Sequence, residues 1–228
     1  MMIIIIASSL LLIVLLFLWL SRRNARVRER ANTLEQKVFR AQMNPHFIFN
    51  SLNSIQRMYV EGNEDQANDY MADLSRLLRS ILENSGKNRI TLQEELELTK
   101  NYLELEKLRT RHLFTYTIET SDDIDPLLTK VPPLIFQPYI ENAIWHGILP
   151  KNEKGHISLN VSKDGNDCLK CTVTDDGVGF NIKKKAPVTE GKTSQGMAIT
   201  AERLGGEQNV KINSPAGGGT RVTLCVAR

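Results

Sequence analysis

The 228-residue chain lacks most of the features by which a sequence declares its class. Its formal net charge is only +3, from 29 Lys and Arg against 26 Asp and Glu, too small to point to nucleic acid by itself. No low-complexity tract is present. Cysteine is scarce, with three residues in all. Cys168 and Cys171 form a C-x-x-C, but no second pair or histidine partner follows at zinc spacing. They also lie in an alternating, strand-like stretch, where positions three apart point to opposite faces. Neither the Rossmann nor the P-loop fingerprint occurs, which disfavours the usual nucleotide folds.

Charge is missing locally as well. Met1 to Leu20 is an apolar run interrupted only by Ser8 and Ser9. At ~1.5 Å per residue, about twenty helical residues span ~30 Å, the hydrocarbon thickness of a bilayer. A cleavable signal peptide is the rival reading. It needs a basic region before the apolar core and small residues at a cleavage site, whereas here no charge precedes the run and Trp19-Leu20-Ser21-Arg22 follows it. Arg22, Arg23, Arg26, Arg28, Arg30, Lys37 and Arg40 come next, against only Glu29 and Glu35. By the positive-inside rule, residues 1–21 are expected to form a single-span anchor with everything after them in the cytoplasm. There, the cysteines are expected to be thiols. An apolar stretch that starts at Met1 also leaves open that the chain is part of a longer protein.

Beyond the anchor, Leu34, Val38, Ala41, Ile48, Leu52 and Ile55 recur at the period of a buried helical stripe, predicting a long helix over 22–60. Glu61-Gly62-Asn63 breaks it. A second helix is expected over 64–84, with Tyr70, Met71, Leu74, Leu77, Leu78 and Ile81 as its stripe. Such a hairpin buries little by itself, so dimerisation into a four-helix bundle is its natural completion. After the linker Ser85 to Asn88, Thr91-Leu92-Gln93-Glu94 fits a capping box that opens a helix to about Leu108. Strands are expected over 112–119, 156–162, 168–174, 208–213 and 219–226, with helices over 134–147 and 197–204. Because several strands follow one another directly, the pattern favours an α+β sandwich over a doubly wound parallel sheet. Lys183 to Gly196 reads as a loop.

Five short motifs carry the chemistry. In Asn44-Pro45-His46-Phe47-Ile48-Phe49-Asn50, a proline early in a helical pattern places His46 after a kink, and Asn50 follows one turn on, where its amide can orient an imidazole. By itself this context fits a structural histidine as well as a reacting one. In Pro138 to Gly147, Glu141 and Asn142 set two oxygen ligands side by side, the hard donors that Mg²⁺ prefers; solvated helix residues would look the same. Asp175-Asp176-Gly177-Val178-Gly179 ends a strand with a carboxylate that can accept from an exocyclic amine, followed by glycines that permit close approach of a flat ring. Many tight turns share that pattern. Gln195-Gly196-Met197 opens a helix whose bare N–H groups suit phosphate. Gly217-Gly218-Gly219-Thr220 enters the last strand and also reads as a hairpin turn.

In order and spacing, these motifs resemble those of the LytS-like sensor histidine kinases, over about residues 35 to 227. In that family a phosphoacceptor hairpin precedes an ATPase domain of the gyrase, Hsp90, histidine-kinase and MutL (GHKL) type. N-P-H-F-x-F-N is the most specific element, and P-x-x-E-N-A-x-x-H-G and D-D-G-x-G reinforce it. The resemblance implies an α+β chain in three parts: a transmembrane helix over 1–21, a signalling helix and phosphoacceptor hairpin over 22–86, and an ATP-binding α/β-sandwich domain over 87–228. It implies that His46 is the phosphorylated histidine and that Asn142 binds Mg²⁺, with Glu141 beside it as a polarising base. Asp175 would read the adenine amino group beside Gly177 and Gly179. Gly196 would lie on the phosphate side, while Gly217, Gly219 and Thr220 would line the adenine pocket.

The sequence departs from the family at four places. Ser194 stands where many relatives have a glycine, Ile199 where many have asparagine, and Trp145 where a lysine is common. No carboxylate follows His46, because Phe47 stands there. His46 would therefore attack as the neutral imidazole, helped by Glu141 or Asn50. Lys183, Lys184 and Lys185 offer replacement charge near the phosphates. The expected activity is autophosphorylation of His46 from ATP·Mg²⁺ bound under a 180–196 lid. Transfer to an aspartate of a separate response regulator would follow, in a homodimer anchored at the bacterial inner membrane. Two other readings stay open: a regulatory pseudokinase that binds ATP or a partner kinase without transfer, and an ATP-driven clamp, which has no need of the hairpin.

Overall fold

A computed structural model describes residues 45–165, 168–179, 193–215 and 218–227. The expected anchor, the helix before residue 45, most of the loop before Gly196, and Gly217 lie outside the described residues. Among the described residues, no helix is long and apolar enough to cross a membrane.

Two helices open the described chain, α1 (Pro45–Val60) and α2 (Glu64–Ser85). Proline suits the first turn, where its missing N–H leaves no intrahelical bond unmade. The break between the helices is closed by Gly62 at φ 78°, a conformation open to glycine. The buried face of α1 differs from the expected stripe. Phe47, Ser51, Ser54, Ile55 and Met58 are buried, whereas Leu52 is 51% exposed and Phe49 66%. On α2, Tyr70, Leu74, Leu77 and Ile81 are buried but Met71 is exposed. Helical periodicity identifies apolar positions but does not separate the face packed within the chain from one left outside it.

Next come the two-residue strand β1 (Ile90–Thr91) and the helix α3 (Leu92–Arg109). The capping box forms as read: Thr91 Oγ1 accepts from Glu94 N at 3.1 Å, and Glu94 Oε2 accepts from Thr91 N at 2.7 Å. The chain continues through β2 (Phe114–Thr120) and the short β3 (Lys130–Val131), which pairs antiparallel with β1. It then enters the helix α4 (Gln137–Asn142), which runs on as a π-helical segment (Ala143–Ile148) and a last short turn, α5 (Leu149–Lys151). Strands β4 (Gly155–Asp164) and β5 (Cys168–Asp175) follow, then helix α6 (Thr193–Arg203) and strands β6 (Val210–Asn213) and β7 (Thr220–Ala227).

The main sheet is mixed, in the order β2-β4-β5-β7-β6. Only β2 and β4 are parallel. A parallel pair needs a crossover, and α4 with its π-helical extension supplies it, which lays that helix across one face of the sheet. Burial alternates along β4 and β5 as a sheet covered on one side requires: Ile157, Leu159, Val161, Leu169, Cys171 and Val173 point to the helices. From the other side, Phe136, Ile140, Ile144 and Ile148 meet them at steady intervals of four, each fully buried. This is the sandwich expected from the strand pattern, with the nucleotide motifs at one end of the sheet.

The cysteine expectation needs correcting. Cys168 and Cys225, 57 residues apart, are joined by a disulfide. Both lie on the polar face of neighbouring antiparallel strands, with Cα atoms 5.7 Å apart, a separation that suits a bridge. Strand register creates that proximity, and the C-x-x-C spacing gives no hint of it. Cys171 keeps its thiol on the opposite, buried face, where desolvation pushes it up to about 12.

Candidate nucleotide site

The start of α4 is held from outside the helix. The carboxylate of Glu95, 1% exposed on α3, accepts from Leu134 N at 2.7 Å and from Phe136 N at 3.3 Å. Leu134 sits at φ 59°, a conformation that costs a non-glycine residue of order 1–3 kcal/mol. The bonds to Glu95 offset that strain, and the one from Phe136 satisfies the N–H of the residue that caps α4. From the other side, Arg203 at the end of α6 donates to Pro133 O at 2.9 Å. Glu95 and Arg203 therefore fix where α4 begins, one to two turns before Asn142. Neither residue was singled out from the sequence, since their partners are backbone groups distant in the chain.

Asn142 ends α4 half-buried, and its Nδ2 lies 3.0 Å from Met197 Sδ on α6. Gly196 lies beside Pro138; a Cβ on it would come 3.6 Å from the proline ring. The Asn142 and Gly196 motifs are thus brought together across the α4–α6 contact. Glu141 is buried on the neighbouring face, accepts from Gln137 Nε2 at 3.0 Å, and is not among the residues that line the cleft described below.

Asp175, at the end of β5 and 6% exposed, accepts from Gly177 N at 2.9 Å and from the backbone and hydroxyl of Thr220, its register partner on β7. Burial raises its pKa above the usual carboxylate value, while those donors pull it back. The glycines around it serve packing first. A Cβ on Gly177 would lie 2.2 Å from the Gly147 carbonyl carbon, and one on Gly219 would lie 2.1 Å from Asp175 O. Carbonyls of the same residues stitch the loops together: Gly147 O accepts from Val178 N at 3.0 Å and Gly177 O from Gly219 N at 2.7 Å. Gly179, at φ 80°, lies against Ser214 and Gly219. At these glycines the close approach in the structure is of backbone to backbone and side chain.

Several of these groups border one cleft. Asn142, Asp175, Gly179 and Thr220 line it, together with His146 and Tyr139, to which the sequence reading gave no separate role. The lining is mostly apolar with a few convergent polar groups, the make-up of a small-molecule site. His46 stands in the first turn of α1 by its backbone, with its side chain outside the described part. Asn50 is half-buried one turn later, and its carbonyl accepts from Ser54 Oγ. Phe47 beside His46 is buried with its ring centre 5.0 Å from that of Tyr102 on α3. Ser194 falls in α6, with its side chain outside the described part. Trp145 lies in the π-helical segment beneath the guanidinium of Arg109, 4.3 Å from its carbon to the ring centre.

Among solved structures, the chain is similar to the histidine kinase domain of the Erythrobacter litoralis EL346 blue-light activated histidine kinase. That likeness has a TM-score of 0.47 at 18% identity and covers 87% of this chain and 94% of the other. Among curated proteins, it is 34% identical over 161 residues to the sensor histidine kinase YpdA of Escherichia coli, covering 71% of this chain and 28% of YpdA. It is 37% identical over 146 residues to the sensor protein LytS of Staphylococcus epidermidis, covering 64% of this chain and 24% of LytS. The chain thus spans about a quarter of the length of the curated relatives it matches. Residues 34–114 match the histidine kinase family model, and residues 133–228 match that of the histidine kinase-, DNA gyrase B- and HSP90-like ATPases. With both halves matched in this order, the chain belongs to the LytS-like sensor histidine kinase family.

Proposed function

We propose that this chain is the transmitter part of a two-component sensor kinase, which phosphorylates His46 from ATP and passes the phosphoryl group to a response-regulator aspartate. The observation that carries this reading is one cleft lined by Asn142, Asp175, Gly179 and Thr220, in a chain whose α1 begins Pro45-His46. In this reading Asp175 accepts from the adenine amino group, and its bonds from Gly177 and Thr220 hold the carboxylate ready for that task. His146 and Tyr139 wall the base, and Gly196 at the start of α6 faces the phosphates.

Mg²⁺ fits the donor set. Among the described residues, no cluster of three or more His, Cys, Asp or Glu offers a full protein cage. In this reading the Asn142 amide nitrogen faces Met197 and its oxygen supplies a protein ligand to the ion. A single protein oxygen suits an ion that takes its remaining ligands from phosphates and water. When bound, the ion would neutralise charge on the phosphates. A nitrogen of the neutral His46 imidazole attacks the γ-phosphorus, the bond to the β-phosphate oxygen breaks, ADP leaves, and the imidazole loses its N–H proton to water. In this reading Asn50, one turn after His46, or Glu141 assists that ring.

The exposed Phe49, Leu52, Tyr59 and Val60 of α1, with Met71 and Leu82 of α2, support a homodimer closed by a four-helix bundle. The apolar run of residues 1–20 and the arginines after it support a single-span anchor with the kinase on the cytoplasmic side. The test is incubation of the chain with γ-labelled ATP and Mg²⁺. Acid-labile, alkali-stable label that vanishes in His46→Gln is the expected result. ATP binding without label would replace this reading with the pseudokinase, and hydrolysis indifferent to His46→Gln would replace it with the clamp.

A further inference from the structure

We propose that Trp145 and Arg109 are positioning residues through which the hairpin sets the geometry of the nucleotide helix; this rests on the kinase reading above. The Arg109 guanidinium lies over Trp145 with its carbon 4.3 Å from the ring centre, a cation–π contact. It is fixed from behind. Glu106, one turn earlier on α3 and with a fully buried side chain, accepts from Arg109 Nε through both carboxylate oxygens, at 3.2 and 3.1 Å, and also pairs with its Nη2. Arg109 is itself only 12% exposed, so swinging away would strand a buried carboxylate.

The same short stretch of chain carries ties to the hairpin. Arg57 Nη2 on α1 donates to the carbonyl of Arg109 at 3.4 Å, and Arg111 pairs with Glu61, in the turn between α1 and α2, at 2.9 Å. Residues 106–111 therefore touch the hairpin through the Arg109 carbonyl and Arg111, and the nucleotide helix through the Arg109 side chain. On that far side, Trp145 is three residues from Asn142 and adjacent to the cleft-lining His146 and Gly147. It stands in the π-helical segment, a geometry found mostly as single turns at functional sites. A shift of α1 moves the end of α3, and Arg109 carries that movement to Trp145 and so to Asn142 and Gly147. Where many relatives have a lysine, this tryptophan instead takes the guanidinium of Arg109.

Trp145 also provides the readout. The sequence has two tryptophans, Trp19 and Trp145, so the full chain with Trp19→Phe reports Trp145 alone. In that protein, Arg57→Gln, on the hairpin and remote from the cleft lining, is expected to shift Trp145 emission. It should also change the affinity for ATP with Mg²⁺ by about threefold or more. Combined with Trp145→Phe, Arg57→Gln should lose most of its effect on ATP affinity. Arg109→Lys, which keeps the charge but not the guanidinium, should reproduce the uncoupling if Trp145→Phe disturbs folding. Unchanged emission, or effects of Arg57→Gln and Trp145→Phe on ATP affinity that simply multiply, would overturn the proposal. If the unsubstituted chain binds no ATP while Arg57→Gln still shifts emission, the kinase reading falls and the mechanical coupling stands.

Discussion

Gly147 rests against Asp175 so closely that a Cβ on the glycine would lie 2.6 Å from the aspartate Oδ1. The helix that carries Asn142 and the strand that carries Asp175 are therefore in contact through a position with no side chain. Because Asp175 is also held by Gly177 and Thr220, it has little freedom to yield. Gly147→Ala is expected to displace the carboxylate, weakening ATP binding about tenfold or more and costing ~1–3 kcal/mol of stability as an overpacked site does. Isothermal titration with ATP and a urea melt check both parts. Unchanged affinity would mean that the carboxylate does not read the base.

Asp175→Asn tests the same reading without a steric change. The amide keeps the shape of the carboxylate but brings an NH₂ where the adenine amino group must donate. Gly177 N and Thr220 also lose one of their two acceptor oxygens. A charged-group hydrogen bond is worth ~1.5–3 kcal/mol, so ATP affinity should fall roughly 10- to 100-fold. Phosphohistidine formation at saturating ATP should fall much less, which separates a binding role from a chemical one.

Much of this site was legible because its residues announce local geometry. Thr91 and Glu94 form their capping box within four residues, and Asp175 to Gly179 ends a strand whose alternation is plain. What escaped depends on partners distant in the chain. Glu95 looks like any helix glutamate until Leu134 and Phe136 are placed beside it. Cys168 and Cys225 meet only through the register of β5 with β7. The π-helical segment follows an α-helical apolar pattern closely enough that the sequence reads as one plain helix, and the roles of His146 and Trp145 were hidden with it. Leu52 was expected in a buried stripe and is exposed. The periodicity is right, but which apolar face turns inward depends on what α2 and α3 cover.

Leu52 and Phe49 then become the test of the homodimer. Both are more than half exposed within the chain, so a charge there should leave the protomer folded. Leu52→Glu combined with Phe49→Glu is expected to convert a dimer into a monomer by sedimentation equilibrium while circular dichroism stays the same. A dimer that survives both changes would place its interface elsewhere than on this face of α1.

Glu95 makes a prediction about pH whose sign is fixed by linkage. Burial raises its carboxyl from 4.5 to about 8, against the pull of the Leu134, Ile135 and Phe136 N–H groups and of Arg203. A folded-state pKa above the unfolded value means that the proton favours the folded chain. The contribution of Glu95 to stability is thus fully present below pH 4.5 and is lost as pH rises through about 8. Glu95→Gln cannot ionise and resembles the protonated acid, so it should be close to the parent in stability near pH 5. It should then gain on the parent as pH rises to 8, by a few kcal/mol at most. Urea midpoints at pH 5, 6.5 and 8 measure the gap. A gap that stays constant, with the glutamine form uniformly weaker, would show instead that three backbone donors require the carboxylate and that Glu95 is ionised throughout. In that case its loss should also loosen the start of α4 and lower ATP affinity at every pH, which the same protein samples can report.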